Sequence, residues 1–202
     1  MTLAAGDAKP EMLLPPTPGL TPWDWSGDGR LLLYAAADAK TGKRHLWTVA
    51  VDGERKPVQI TQTEFNETQA QFSPDGRWIS YVSNESGRNE IYVRPFPASP
   101  EQGGKIKVSE GGGTGARWRR DGKELFYIAS DAKMMAVDVR TTAGFKAGVP
   151  QPLFQTRIRA GGPGPFQWDA SADGKRFLIA TVAAEKSDAV TIVTNWQALL
   201  RK

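Results

Sequence analysis

The chain has 202 residues, no cysteine and a formal net charge of +4, with 21 glycines and 14 prolines. The missing cysteine excludes disulfides, thiol chemistry and cysteine metal sites. The small, dispersed positive charge gives little support to a nucleic-acid or anionic-membrane partner, and no apolar run is long enough to span a bilayer.

In chain order, the first ten residues lack the basic and apolar regions of a secretory signal. This leaves two expectations: a cytoplasmic protein, or a piece of a longer chain whose targeting segment lies upstream. A short apolar run, Met12-Leu13-Leu14, reads as an orphan strand within residues 9–14. Pro15-Pro16-Thr17-Pro18-Gly19 breaks regular structure after it. Four groups of short strands follow. The first group is predicted at 21–25, 30–36, 45–51 and 57–61. The second falls at 68–72, 78–83, 90–96 and 105–109. The third falls at 115–118, 124–129, 133–140 and 151–156, with a loop over 141–150. In it Met135, Val137 and Val139 alternate with Ala136 and Asp138, the period-two signature of a half-buried strand. The fourth group, 166–170, 176–182 and 189–195, has no room for a fourth strand.

A repeated turn ties these groups together. Trp25-Ser26-Gly27-Asp28-Gly29-Arg30 recurs as Phe72-Ser73-Pro74-Asp75-Gly76-Arg77, as Trp118-Arg119-Arg120-Asp121-Gly122-Lys123 and as Ala170-Ser171-Ala172-Asp173-Gly174-Lys175. The turn aspartates lie 47, 46 and 52 residues apart. Asp-Gly supplies a side chain that bonds the local backbone and a residue free to adopt positive φ. A period of this size with several short strands per unit predicts an all-β propeller of four-stranded antiparallel blades. The blades are expected at about 21–61, 68–109, 115–156 and 166–195, in one domain spanning 1–202. Two closures are open. Met12–Leu14 completes the fourth blade, or these are the last blades of a larger ring.

The motifs Phe72–Arg77, Tyr81-Val82-Ser83-Asn84 and Ile91-Tyr92-Val93-Arg94 resemble the PD40 (WD40-like) repeats of TolB-type β-propellers, over nearly the whole chain. Asp24-Trp25-Ser26, residues 64–67, 83–97 and 118–127, Pro152-Leu153-Phe154-Gln155-Thr156 and Ile192-Val193-Thr194-Asn195-Trp196 follow one another in an order similar to the C-terminal propeller of bacterial membrane-anchored serine/threonine protein kinases. That resemblance implies an extracytoplasmic or periplasmic, non-catalytic binding module. The kinase signatures His-Arg-Asp, Asp-Phe-Gly and Val-Ala-Ile-Lys are absent from this sequence.

Tests for chemistry favour structure over catalysis. Asp28, Asp75, Asp121 and Asp173, with Gly29, Gly76, Gly122 and Gly174, read as turn formers and not as metal or catalytic carboxylates. His45, the only histidine, reads as an exposed strand-edge residue. There is no Gly-x-Ser-x-Gly nucleophile elbow. Gly111-Gly112-Gly113-Thr114-Gly115 reads as a blade crossover, because no phosphate-binding helix follows it. In Arg117-Trp118-Arg119-Arg120, strand alternation makes Trp118 core and the arginines solvated. Catalytic, metal and cofactor residues are therefore none. Loops 64–67, 84–89, 111–117 and 160–168 are expected on one face, with Asn66, Glu67, Arg88 and Arg117 as candidate contacts for a protein, peptide or glycan. Nucleic acid is not expected as a partner. The alternatives are the propeller portion of a hydrolase or prolyl-peptidase-like enzyme, and a purely structural remnant of a larger ring.

Overall fold

The computed structural model describes residues 2–3, 11–98, 104–158, 166–181 and 190–194. Strands β1 (Thr2–Leu3) and β2 (Glu11–Met12) form a two-stranded antiparallel pair. The first blade is β3 (Thr21–Trp25), β4 (Leu31–Ala37), β5 (Arg44–Ala50) and β6 (Val58–Gln59), hydrogen-bonded in that order. The second is β7 (Glu67–Phe72), β8 (Trp78–Ser83), β9 (Glu90–Pro95) and β10 (Ile106–Lys107). The third is β11 (Gly113–Trp118), β12 (Glu124–Ala129) and β13 (Lys133–Arg140), whose far edge pairs with β14 (Lys146–Ala147) and β15 (Gln151–Gln155). The fourth is β16 (Trp168–Ala170), β17 (Arg176–Ala180) and β18 (Val190–Thr194). Every pair within these sheets is antiparallel, so the fold is the all-β array of antiparallel blades that the repeats predicted.

The outer strands are shorter than the sequence reading gave them. Thr61 and Ser109, predicted to be strand residues, fall just beyond the short edge strands and accept backbone N–H bonds through their hydroxyls, while Thr61 N also donates to Leu46 O at 3.3 Å. Leu46 N donates to Thr61 Oγ1 at 2.8 Å and Ile91 N to Ser109 Oγ at 2.7 Å. A hydroxyl thus takes the next inner-strand N–H where the edge strand ends, and a short edge strand offers little template for pairing. Strand β14 is a second departure. It lies inside the expected loop 141–150 and brings Phe145 against Trp78 and Trp118, with ring centroids 5.5 and 6.1 Å away.

Apolar residues alternate along the central strands, so each blade presents two faces to its neighbours. Leu33, Ala35 and Leu46 of the first blade meet Phe72, Ile79 and Tyr81 of the second. Trp78, Val82, Ile91 and Val93 of the second meet Trp118, Leu125 and Tyr127 of the third. Phe126, Ile128 and Met134 of the third meet Trp168, Phe177 and Ile179 of the fourth. The first strands lie side by side, β3 by β7, β7 by β11 and β11 by β16, and so form the inner rim of the array.

The orphan strand does not sit on the fourth blade. Glu11–Met12 pairs with Thr2–Leu3, and Leu13 and Leu14 pack on Leu32, Tyr34, Ala36 and Val49 of the first blade. The Arg55 guanidinium, from the turn after β5, donates to both oxygens of Glu11 at 2.8 and 3.0 Å. The nearest unsatisfied apolar surface, on β4 and β5, captures this segment.

Candidate binding face and inner rim

The four turn aspartates are engaged locally. Gly76 N donates to Ser73 O at 2.8 Å, Ser73 Oγ to Asp75 Oδ1 at 2.5 Å, and Arg77 N to the same oxygen at 3.1 Å. Ser26 with Asp28, and Ser171 with Asp173, repeat the arrangement. The third turn has arginine where the others have serine. There Arg119 Nε and Nη2 donate to Asp121 at 2.7 and 2.9 Å. The turn glycines all take φ near +70° (72, 69, 70 and 69°), a conformation a side chain would strain. The Ser26 hydroxyl holds Asp28 below its usual range, Ser171 does so for Asp173, and Arg119 for Asp121. At Asp75 burial acts upward but is outweighed by Ser73 and Arg77. Among the described residues no group of three or more His, Cys, Asp or Glu side chains is placed to hold a metal ion.

Of the four candidate contact residues only Arg88 is exposed; Glu67 is buried and Asn66 and Arg117 are half-buried. Glu67, expected on a surface loop, opens β7 and is fully buried. It accepts from His45 Nδ1 at 2.9 Å and Thr61 Oγ1 at 3.1 Å, and also from Thr63. His45 is therefore buried, not an exposed edge residue. A buried carboxylate and its partners satisfy one another across the first blade junction. Glu90 fills the corresponding place at the second junction, bonded to Ser109 and to Gly112 N at 2.9 Å. Asn66 is half-buried. Its Oδ1 accepts from Arg44 N at 3.0 Å, and its N donates to Asn84 Oδ1 at 2.9 Å, which places the 64–67 and 84–89 loops together.

Arg88 is exposed and borders a broad depression with Gly111, Gly112, Gly113 and Thr114. Arg117 is not solvated as strand alternation implied. A register shift between Thr114 and Arg117 re-aims it toward the inner rim, where its guanidinium carbon lies 3.4 Å from the Phe166 ring centroid. Its Nε is 3.5 Å from Asp169 Oδ1, an ion-pair separation without hydrogen-bond alignment. Trp23 meets the same Phe166 ring edge-on at 5.6 Å, so the first and fourth blades approach across the rim. Burial pushes Asp24 up, opposed by the amides of Phe72 and Trp25 and by Arg117. Burial likewise lowers Arg117, against the charges of Asp169 and Asp24.

The sequence reading missed a linkage that runs along this rim. Asp24, Gln71, Arg117 and Asp169 each stand four residues before a turn aspartate. Asp24 Oδ2 accepts from Phe72 N at 2.9 Å, and Gln71 Oε1 from Trp118 N at 3.1 Å, each reaching the next blade. Gln69 Oε1 adds a bond from Gly115 N at 2.9 Å. Arginine cannot accept, so Arg117 joins the fourth blade through Asp169 instead. The signal was available as polar residues at one fixed repeat position, four before each turn aspartate.

No family model matches the chain. A stretch of 70 residues is 41% identical to dipeptidyl-peptidase 5 of Porphyromonas gingivalis, covering 33% of this chain and 10% of that protein. In structure the chain is similar to TolB from Acinetobacter baumannii, with a TM-score of 0.69 at 17% identity, over 93% of this chain and 43% of that one. It is also similar to a puromycin-hydrolyzing peptidase of Mycobacterium tuberculosis (TM-score 0.60, 18% identity, 86% of this chain and 30% of that one). A third likeness is to the β-propeller domain of the Trilobed protease from Pyrococcus furiosus (0.51, 14%, 86% and 52%). The chain thus spans about a tenth of the curated relative and under half of the TolB structure. At these structural identities the likeness is one of fold, a TolB-like β-propeller.

Proposed function

We propose that the chain is a non-catalytic binding or sensor module, extracytoplasmic and attached to a receptor-type serine/threonine kinase or a TolB-like system. One observation carries this reading. The side chains that chemistry would recruit, His45, Glu67 and the four turn aspartates, are engaged in bonds within or between blades, while Arg88 is exposed beside an open depression lined by Gly111, Gly112, Gly113 and Thr114. Such a molecule acts by holding a loop face rigid for a protein, peptide or glycan. The order of motifs from Asp24 to Trp196 supports the kinase attachment, and compartment follows from that resemblance.

A second reading, the propeller portion of a peptidase, is favoured by the 41% identical stretch shared with dipeptidyl-peptidase 5. Peptide and glycan arrays probed with the purified chain, alongside a fluorogenic dipeptide assay, separate the two. The binding reading expects retention of one ligand class, weakened about tenfold by Arg88→Ala, with no turnover. Peptide hydrolysis that scales with the purified chain would overturn it.

A further inference from the structure

Where the second and third blades meet on the loop face, a depression of about 520 Å³ opens between the loop before β9 and the crossover into β11. Its walls are set within this chain, by blades that each have a further blade on either side. The floor is backbone held in place. Gly113 N donates to Asn89 O at 2.8 Å, Gly112 N to Glu90 Oε1 at 2.9 Å, and Ser130 Oγ to Gly111 O at 2.7 Å. A Cβ on Gly112 would stand 2.9 Å from Ser130 Cβ, and one on Gly113 2.8 Å from Ser109, so the crossover stays bare. The side chains that reach the surface are Arg88 and Ser130, which are exposed, and Asn89 and Thr114, which are half-buried.

The groups left free here are mainly donors. Among the described residues the Arg88 guanidinium, the Asn89 amide and the Thr114 hydroxyl have no partner. The carboxylates nearby do not answer Arg88. Glu85 pairs with Lys105, and Asp131 with Lys133 at 2.8 Å. Glu90 is buried on Ser109 and Gly112, and Glu110 is exposed but lies outside the lining. One unpaired guanidinium on an otherwise uncharged lining calls for one negative charge, and its planar fork fits the two oxygens of a carboxylate. The Asn89 side-chain N–H groups and the Thr114 O–H add donors beside it. No aromatic side chain lines the depression, so a sugar ring finds no face to stack on. Bare backbone and small polar side chains instead let a peptide main chain approach closely.

We propose that this depression binds a carboxylate of a peptide, with Arg88 as its countercharge and Asn89 and Thr114 as hydrogen-bond donors. The proposal rests on the binding reading above and names the chemistry that its open site takes. Amide chemical-shift titration of the isotope-labelled full chain tests it. The probes are N-acetylated pentaalanine with a free C-terminus, the same peptide amidated, and the amidated peptide with a central aspartate. Glucuronate and inorganic phosphate serve as competing anions. The amides of Gly111 and Thr114 should shift with at least one of the two carboxylate peptides and stay still with the neutral amide. Which of the two responds distinguishes a chain end from an acidic side chain. Arg88→Ala should weaken binding about tenfold and Thr114→Val about threefold, both at an unchanged melting temperature. No shift with either carboxylate peptide, equal shifts with the neutral one, an affinity unaltered in Arg88→Ala, or a response confined to glucuronate or phosphate would overturn the proposal. If the arrays retain a ligand that has no carboxylate, this assignment fails and the binding reading stands. Silence in both the arrays and the titration sinks the binding reading as well.

Discussion

The junction between the second and third blades and the leading face of the first blade are built from the same repeat, yet they end differently. At the junction Trp118 is buried, its Nε1 donates to Ser80 Oγ at 3.0 Å, and its backbone N donates to Gln71. Phe145 closes the apolar seam from the β14 loop. At the leading face the equivalent tryptophan, Trp25, is 46% exposed, and Leu13, Leu14 and Leu20 pack on Leu32, Tyr34, Ala36 and Val49. Repetition therefore sets what each face is able to bury, and the neighbour decides whether it is buried.

Leucines at the two kinds of face sharpen this contrast most. Leu125 is fully buried at the second junction, whereas Leu178, on the outward face of the fourth blade, is 48% exposed. Leu125→Ala should lose about 2–5 kcal/mol in denaturant unfolding, from lost transfer energy plus a cavity. Leu178→Ala should stay within about 0.5 kcal/mol. Equal losses would mean that another surface covers the fourth blade as tightly as the junctions are covered.

A smaller effect is expected with acid. Asp28, Asp121 and Asp173 are held below the ordinary 3.8, by Ser26, Arg119 and Ser171 respectively. Depressed carboxyls contribute stability that is fully present above the unfolded value and is lost as pH falls through the folded one. Asp24, raised by burial, has the opposite sign, since its penalty is relieved as pH falls. The melting temperature should therefore hold steady above about pH 4 and fall below it. Asp121→Asn should flatten the fall. A profile that is flat or rising down to pH 2 would contradict the turn assignment.

Much of this was legible in the sequence, for physical reasons. Asp-Gly turns carry their own geometry, so the four hairpins and the blade frame follow from composition at fixed spacing. Strands such as Trp78–Ser83 and Lys133–Arg140 match their predicted bounds, because alternation at a buried sheet leaves little freedom of register. The site was harder to read. Glu67 and His45 look like surface residues in one dimension, since their pairing spans 22 positions and two blades. Arg117 looks solvated until a bulge shifts its direction.

The central claim is that polar rim side chains bolt each blade to the next. Native-state hydrogen exchange tests it most directly. The amides of Phe72, Gly115 and Trp118 donate to Asp24, Gln69 and Gln71 of the preceding blade, whereas Ala170 N donates to its own neighbour, Asp169 Oδ1, at 2.9 Å. The account predicts that the first three exchange together in the slowest class, through global unfolding, and that Ala170 exchanges faster. Exchange of Trp118 and Phe72 as fast as Ala170 would contradict it.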